Sequence, residues 1–314
     1  MLSLEDWRHA SPDVVAPLYD AECARWSGSL GWDYRPSCGL IEAARMGGRL
    51  PGLLARDARG EVAGWSYFLF HQNTLQIGNL VARDDRAVRA LLRAIVRCPE
   101  ATSARRMSCF LFPGLPAVEQ ALVQTRFSVL RHAYLQRAIA GDEVATGDRV
   151  CLAGREYVLR EWSPDVVPAV LALLIAGYEG TAEARCFAPD GDVGQWATYI
   201  HQLVQTPACG RFERAFSVLV ETPGHEVAGA ILVTALSSRM AHIAQMVVGE
   251  DHRRRGVGEW MVRVACARAR QAHYEYMTLL VAESNARARG LYDRLGFAPS
   301  AEFLFADRKR SSSQ

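Results

Sequence analysis

Lysine is almost absent: Lys309 is the only one in 314 residues, so nearly all of the 36 basic side chains are arginine. A GC-rich coding sequence is a sufficient cause. Net charge is scarce too, since 34 acidic residues leave only +2. A nucleic-acid binder carries a basic stripe and a much higher isoelectric point. Here the basic residues are dispersed, with one local cluster at Arg253, Arg254 and Arg255, so no nucleic-acid partner is expected. No run approaches 18 consecutive apolar residues, which excludes a helical membrane span and predicts no membrane partner. Met1–Trp7 contains Glu5 and Asp6 and lacks the apolar stretch of a signal peptide; a cytoplasmic location is expected. The eight cysteines form no Cys-x-x-Cys pair, which argues against a zinc site and a disulfide framework. No metal is expected, and the thiols are expected to be mostly buried and reduced. What remains is a chain with half its residues hydrophobic and 22% charged, the composition of a globular protein. Its length suggests two domains.

Internal similarity supports that count. Leu4-Glu5-Asp6-Trp7 followed by Ser11-Pro12-Asp13-Val14-Val15 recurs as Leu159-Arg160-Glu161-Trp162 followed by Ser163-Pro164-Asp165-Val166-Val167. In each, a short strand meets a helix start, with serine as expected N-cap and proline in the first turn. Glu61-Val62-Ala63-Gly64 recurs as Glu226-Val227-Ala228-Gly229, and Ile77 to Asp84 matches Ile243 to Glu250 in pattern. The offsets, 155, 165 and 166 residues, drift slowly, as two copies of one domain with small insertions would. The expected domains are 1–145 and 155–307, followed by a flexible basic, serine-rich tail at 308–314.

The second copy reads as a strand at Tyr157–Trp162 and helices at Pro164–Gly177 and Val193–Gln205. A hairpin follows at Phe216–Glu221 and Val227–Leu236, then a third strand at Met240–Val248. A helix at Gly258–His273, a strand at Tyr276–Ala282, a helix at Ala286–Leu295 and a strand at Glu302–Asp307 complete it. The fold class is mixed α/β, each copy a mostly antiparallel sheet flanked by helices.

The strongest chemical feature is the turn Glu250-Asp251-His252-Arg253-Arg254-Arg255-Gly256-Val257-Gly258. It follows a strand and opens a helix. Its glycines admit a ligand close to the backbone, and the free N–H groups and dipole of the helix start favour an anion. With three arginines this is physically a pyrophosphate cradle. It lacks the Gly-Lys-Ser/Thr of a Walker loop and the third glycine of the dinucleotide fingerprint. A second feature, Ser284 to Phe297, follows the strand ending at Ala282.

Together these segments resemble the GNAT acetyltransferases. That family has a strand, Arg-x-x-Gly-x-Gly/Ala opening a helix, a further strand, then Asn-x-x-Ala-x-x-Leu-Tyr and Gly-Phe. Arg253, Gly256 and Gly258 fill the first pattern; Asn285, Ala288, Leu291, Tyr292, Gly296 and Phe297 fill the second. The likeness covers about 155 to 307 and is strongest over 240–300. It implies an N-acetyltransferase using acetyl-coenzyme A, with no metal, that transfers the acyl group directly to a primary amine of a small molecule or peptide. An alternative is a non-catalytic acyl-coenzyme A-binding regulator. A monomer or homodimer is expected. The scarcity of lysine then has a second reading, selection against self-acylation.

The same resemblance implies roles. Main-chain groups of Arg253, Arg254, Arg255, Gly256, Val257 and Gly258 bind the pyrophosphate. Met246, Val247 and Val248, at a splayed strand end, offer the backbone to the pantetheine arm. Asn285 and Arg289 assist in binding. Tyr292 binds there too and protonates the leaving thiolate. The base is sought at His242, with Gln245, Glu179, Glu183 and Glu213 near the acceptor. In the first copy the matching turn, Leu80 to Ala90, has no glycine and two aspartates, Asp84 and Asp85, and Ala121 to Phe127 has no tyrosine and no glycine. It is expected to be a degenerate GNAT-like domain that buttresses the catalytic one, with Trp26–Tyr34 helping to close the acceptor cleft. Such a tandem is similar to mycothiol synthase.

Overall fold

A computed structural model of the chain describes residues 2–71, 73–141, 147–206 and 209–310. Part of the expected domain junction, 142–146, and the end of the expected tail, 311–314, lie outside the described residues. Two compact units are present: residues 1–25, 34–133 and 302–314 form the first, residues 26–33 and 134–301 the second. A single cut between 145 and 155 therefore does not separate them.

In order, the first copy contains β1 (Ser3–Asp6), α1 (Pro12–Leu30), α2 (Arg35–Met46), β2 (Gly52–Arg56), β3 (Val62–His71), β4 (Thr74–Ile77), β5 (Val81–Ala82), α3 (Asp85–Ile95), α4 (Pro99–Ser103), β6 (Arg106–Leu111), α5 (Ala117–Gln124) and β7 (Ser128–Ala138). The second contains β8 (Arg149–Leu152), β9 (Arg155–Glu161), α6 (Val167–Tyr178), α7 (Ala184–Phe187), α8 (Val193–Gln205), β10 (Arg211–Phe212), β11 (Val218–Glu221), β12 (Val227–Ala235), β13 (Met240–Val248), α9 (Val257–Gln271), β14 (Tyr276–Ala282), α10 (Ala286–Arg294) and β15 (Ala298–Lys309). The duplication is visible in the parts. Trp7, just after β1, and Trp162, just after β9, are both buried. In each copy an antiparallel pair (β3/β4, β12/β13) leads to one parallel pairing of four register steps (β4/β6, β13/β14).

The first unit's strands run in the order β1-β2-β3-β4-β6-β15-β7, with β15 contributing residues 302–309 and β7 residues 128–133. Leu304 to Lys309 pair antiparallel with Leu111 to Arg106. Leu304 and Ala306 join the apolar core of Leu75, Ile77, Leu91, Leu92 and Leu122. Arg106 and Asp307 form an ion pair of 2.8 Å with both side chains 5% exposed. The strand thus continues through Arg308 and Lys309, residues expected in the tail. The first helix also carries part of the second unit, Trp26 to Leu30.

The second unit's strands run β8-β9-β11-β12-β13-β14. On one face, α6 and α8 present Val170, Leu174, Trp196, Ile200 and Leu203 to Leu219, Ala230, Leu232 and Val247. In α9, Val257, Met261 and Ala265, four residues apart, form a buried stripe. The expected strand Met240–Val248 and helix Val193–Gln205 have those bounds. Ser163 departs from expectation: its hydroxyl donates to Asp165, which also holds Arg160. Its side chain therefore caps nothing, and the helix enters through a 3-10 turn, Pro164–Val166. The thiols also differ from expectation. Cys38, Cys109 and Cys266 are buried, but Cys151 and Cys209 are exposed.

Candidate coenzyme site

The site begins with a fork. β13 and β14 pair in parallel only from Met240↔Tyr276 to Ile243↔Leu279. Beyond this, β13 follows β12 alone, and the register shifts between Leu232 and Val233 so that Ala244 has no partner. One extra residue bends a strand and re-aims the side chains beyond it. Met246 and Val248 lie on the α9 side, with side-chain atoms 3.8 and 3.4 Å from where a Cβ on Gly258 would stand; Val247 faces α6, against Gly177. Among the described residues, the edge of Ala244–Val248 turned away from β12 has no strand neighbour.

The turn beyond the fork closes tightly. Gly249 N donates to Ala228 O at 2.9 Å, and Glu250–His252 make one 3-10 turn. Two residues then take left-handed backbone, Arg254 (φ 60°) and Gly256 (φ 92°). A non-glycine residue there is disfavoured by about 1–2 kcal/mol, so the conformation is held by its surroundings. Helix α9 starts at Val257 with no side chain capping it, leaving first-turn amides to face a ligand. Arg253 Nε donates to Val248 O and Arg255 Nε to Asp251 O, each at 3.0 Å. These bonds direct two of the three arginines back onto the turn. Sequence reasoning missed Arg287. Burial, and then the charges of Arg253 and Arg254, hold its guanidinium below the ordinary value. Its signal was spacing: Arg287 is one helical turn before Leu291, whose side chain lies 3.5 Å from where a Cβ on Gly258 would stand.

Tyr292 lies on α10, 6% exposed, its ring edge-on to Phe297 at 5.7 Å. Burial raises its phenol above the ordinary value of 10. Asn285 is the N-cap of α10: Oδ1 accepts from Ala288 N, and Nδ2 donates to Glu183 Oε1, both at 3.1 Å. Both ends of its amide are therefore engaged within the protein. Arg289 Nη1 reaches Glu283 O at 3.4 Å, back along its own helix. Gln245, at the fork, is buried and bridges two helices. It accepts from Tyr178 Oη and donates to Tyr199 Oη, both at 2.8 Å. Glu213 is committed elsewhere, to Arg211 and Tyr274, whereas Glu179 ends α6.

His242 does not stand in the fork. It is in the last paired stretch, opposite Thr278, with Nδ1 2.9 Å from Thr278 Oγ1. The rings of Tyr134 and Trp32 cover it at 6.0 and 6.3 Å. Burial pushes its pKa down to about 4, so it is neutral at pH 7 and too weak a base to accept readily from an ammonium. The Trp26–Asp33 stretch does belong to this unit, and Asp33 N donates to Leu236 O.

The equivalent place in the first unit is built differently. Asp84 Oδ1 caps α3 by accepting from Ala87 N at 2.9 Å, so a carboxylate occupies the helix start where an anion would sit. The strand end after Ile77 is tied back to β3. Asn79 Oδ1 accepts from Tyr67 N, Asn79 O accepts from Ser66 Oγ, and the Tyr67 ring lies where a Cβ on residue 78 would be, 2.0 Å away.

Comparison with known proteins agrees with this geometry. Residues 182–297 match the sequence model of the Acetyltransferase (GNAT) family. Over those residues the chain resembles a GNAT domain. An uncharacterized N-acetyltransferase of Bacillus subtilis, YobR, is 28% identical over 116 residues, 37% of this chain and 42% of that protein. The chain thus spans about two fifths of that relative's length. A tandem GNAT protein from the clavulanic acid biosynthesis pathway aligns over the whole of both chains at 16% identity, TM-score 0.62. A GCN5-related N-acetyltransferase from Sphaerobacter thermophilus covers 82% of this chain and 80% of its own, at 13% identity and TM-score 0.59. At such identities these solved structures establish the fold. Among the described residues no helix is long and apolar enough to cross a membrane.

Proposed function

We propose that the GNAT domain transfers an acetyl group from acetyl-coenzyme A to a primary amine of a small molecule or peptide, in one ternary complex. The observation that carries this reading is the fork of β13 from β14, which ends at the turn holding Arg254 and Gly256 left-handed. The freed strand edge suits the amide-bearing pantetheine arm as an added strand. The uncapped start of α9, with Arg253, Arg254 and Arg287 around it, suits the pyrophosphate. The acetyl thioester would then point along the fork toward α10.

The amine attacks the thioester carbonyl, a C–N bond forms, and the C–S bond breaks as the tetrahedral intermediate collapses. The nitrogen loses one proton and the thiolate gains one. Tyr292 supplies a hydrogen bond to the developing thiolate. With its phenol raised by burial, stabilising that charge, rather than ready release of the proton, is the main part of its work. We assign the base to Glu183, which Asn285 holds beside α10, in place of His242. Gln245 fixes Tyr178 and Tyr199 around the acceptor side.

The test is release of free thiol from acetyl-coenzyme A with an amine panel. Tyr292→Phe is expected to lower kcat about a hundredfold with coenzyme Kd within twofold, and Glu183→Gln to lower kcat at least tenfold. His242→Asn is expected to have little effect. Equal losses of turnover and affinity in Tyr292→Phe would contradict its role, and unaltered kcat in Glu183→Gln would remove the base. Tight coenzyme binding without thiol release for any amine would point to a regulator instead of an enzyme.

A further inference from the structure

His252 is a buried polar side chain inside the coenzyme turn, 2% exposed, and the chemistry above does not use it. Its Nε2 is 3.0 Å from Glu226 Oε1, at the start of β12. Its Nδ1 is 3.2 Å from Tyr157 Oη and 3.4 Å from Arg155 Nη1, both on β9. The Tyr157 ring meets it edge-on at 5.7 Å. These partners fit one tautomer: Nε2–H donates to the carboxylate, and Nδ1 accepts from the phenol and the guanidinium. The β8–β9 hairpin also backs the turn at a second point, where Leu152 lies 3.6 Å from a Cβ built on Gly256.

The backbone just beyond His252 is the disfavoured part of the turn, with Arg254 and Gly256 both left-handed. Such conformations persist only where neighbouring structure over-determines them. His252 supplies that constraint, joining β9 to the start of β12 directly beneath the turn. We propose that His252 is a positioning residue for the coenzyme: clamped by Tyr157 and Glu226, it holds the Arg253–Gly258 amides ready for the phosphates before the coenzyme arrives. Preorganisation raises affinity by removing an ordering cost from binding. The effect therefore falls on the coenzyme and leaves the amine and the chemical step largely aside. The inference rests on coenzyme binding at this turn.

The experiment is calorimetric titration of the full chain with coenzyme A, alongside steady-state kinetics and melting curves. His252→Ala is expected to raise coenzyme Kd and KM about tenfold, with kcat and amine KM altered far less. Tyr157→Phe, losing one hydroxyl, should raise Kd about threefold, and His252→Gln, able to donate to Glu226, should recover part of the loss. Tyr157→Phe added to His252→Ala should cost nothing more, because the pair acts as a unit. A folded His252→Ala protein with unchanged coenzyme Kd overturns the clamp. If that variant does not fold, unchanged Kd in both Tyr157→Phe and Glu226→Gln overturns it equally. Failure of the wild-type chain to bind coenzyme A is a separate result, and it overturns the coenzyme reading itself.

Discussion

At the scale of single residues, neighbours separate side chains that look alike in sequence. Asn285 is spent on capping α10 and on Glu183, so its importance is for the shape of the site. His242 has lost most of its basicity to burial between Tyr134 and Trp32, and this has a thermodynamic signature. Its folded pKa of about 4 lies below the ordinary value of 6.5, so the unfolded chain binds the extra proton first. The stability linked to His242 is complete above about pH 6.5 and is lost as pH falls toward 4, on the order of 3 kcal/mol in all. The melting temperature should drop across that window, and His242→Asn should flatten the drop. An equally steep acid limb in the variant would assign it to other groups. Tyr292 was legible because it came with Leu291, Gly296 and Phe297 at fixed spacing. Arg287 was marked only by its spacing from Leu291, and His252 stood in the turn itself, but only the folded chain shows its partners Glu226 and Tyr157.

At the scale of elements, the turn before α9 depends on backbone shape more than on side-chain room. A Cβ on Gly256 would meet nothing nearer than Leu152 at 3.6 Å, yet its φ is 92°. Gly256→Ala therefore costs backbone energy, about 1–2 kcal/mol, released if the turn flattens. It should raise coenzyme Kd about tenfold with little change in melting temperature. At Gly258, φ is not positive, and the nearest atoms, on Val248 and Leu291, are at 3.4 and 3.5 Å, so Gly258→Ala should be tolerated. Equal effects of the two substitutions on coenzyme titration would refute the backbone argument. The elements themselves were readable, because apolar alternation and helical spacing fix β13, α8 and β14 almost to the residue. The extra residue at Ala244 was not, since a bulge leaves no mark in the pattern of residue types.

At the scale of the whole molecule, the repeat was legible and the partition was not. Similarity along the chain orders two copies but carries no information on which strand a terminal segment pairs with. Residues 302–309 complete the first unit, giving β6 a neighbour, its core Leu304 and Ala306, and Arg106 its buried ion partner. A chain ending at Ala301 should lose more than about 3 kcal/mol of first-unit stability, the scale of stripping one partner from a buried pair. Hydrogen exchange of the Arg106–Leu111 amides would report it. Unchanged protection there would show that the strand is dispensable.

That same strand fixes an order of events during synthesis. Domains usually fold as the ribosome delivers them, the earlier one first. Here the first unit lacks one of its strands until residues 302–309, made after the whole of the second unit, have left the exit tunnel. While the residues between them are made, β6 therefore waits with an open edge, and synthesis interrupted before residue 302 leaves the first-made unit unfinished.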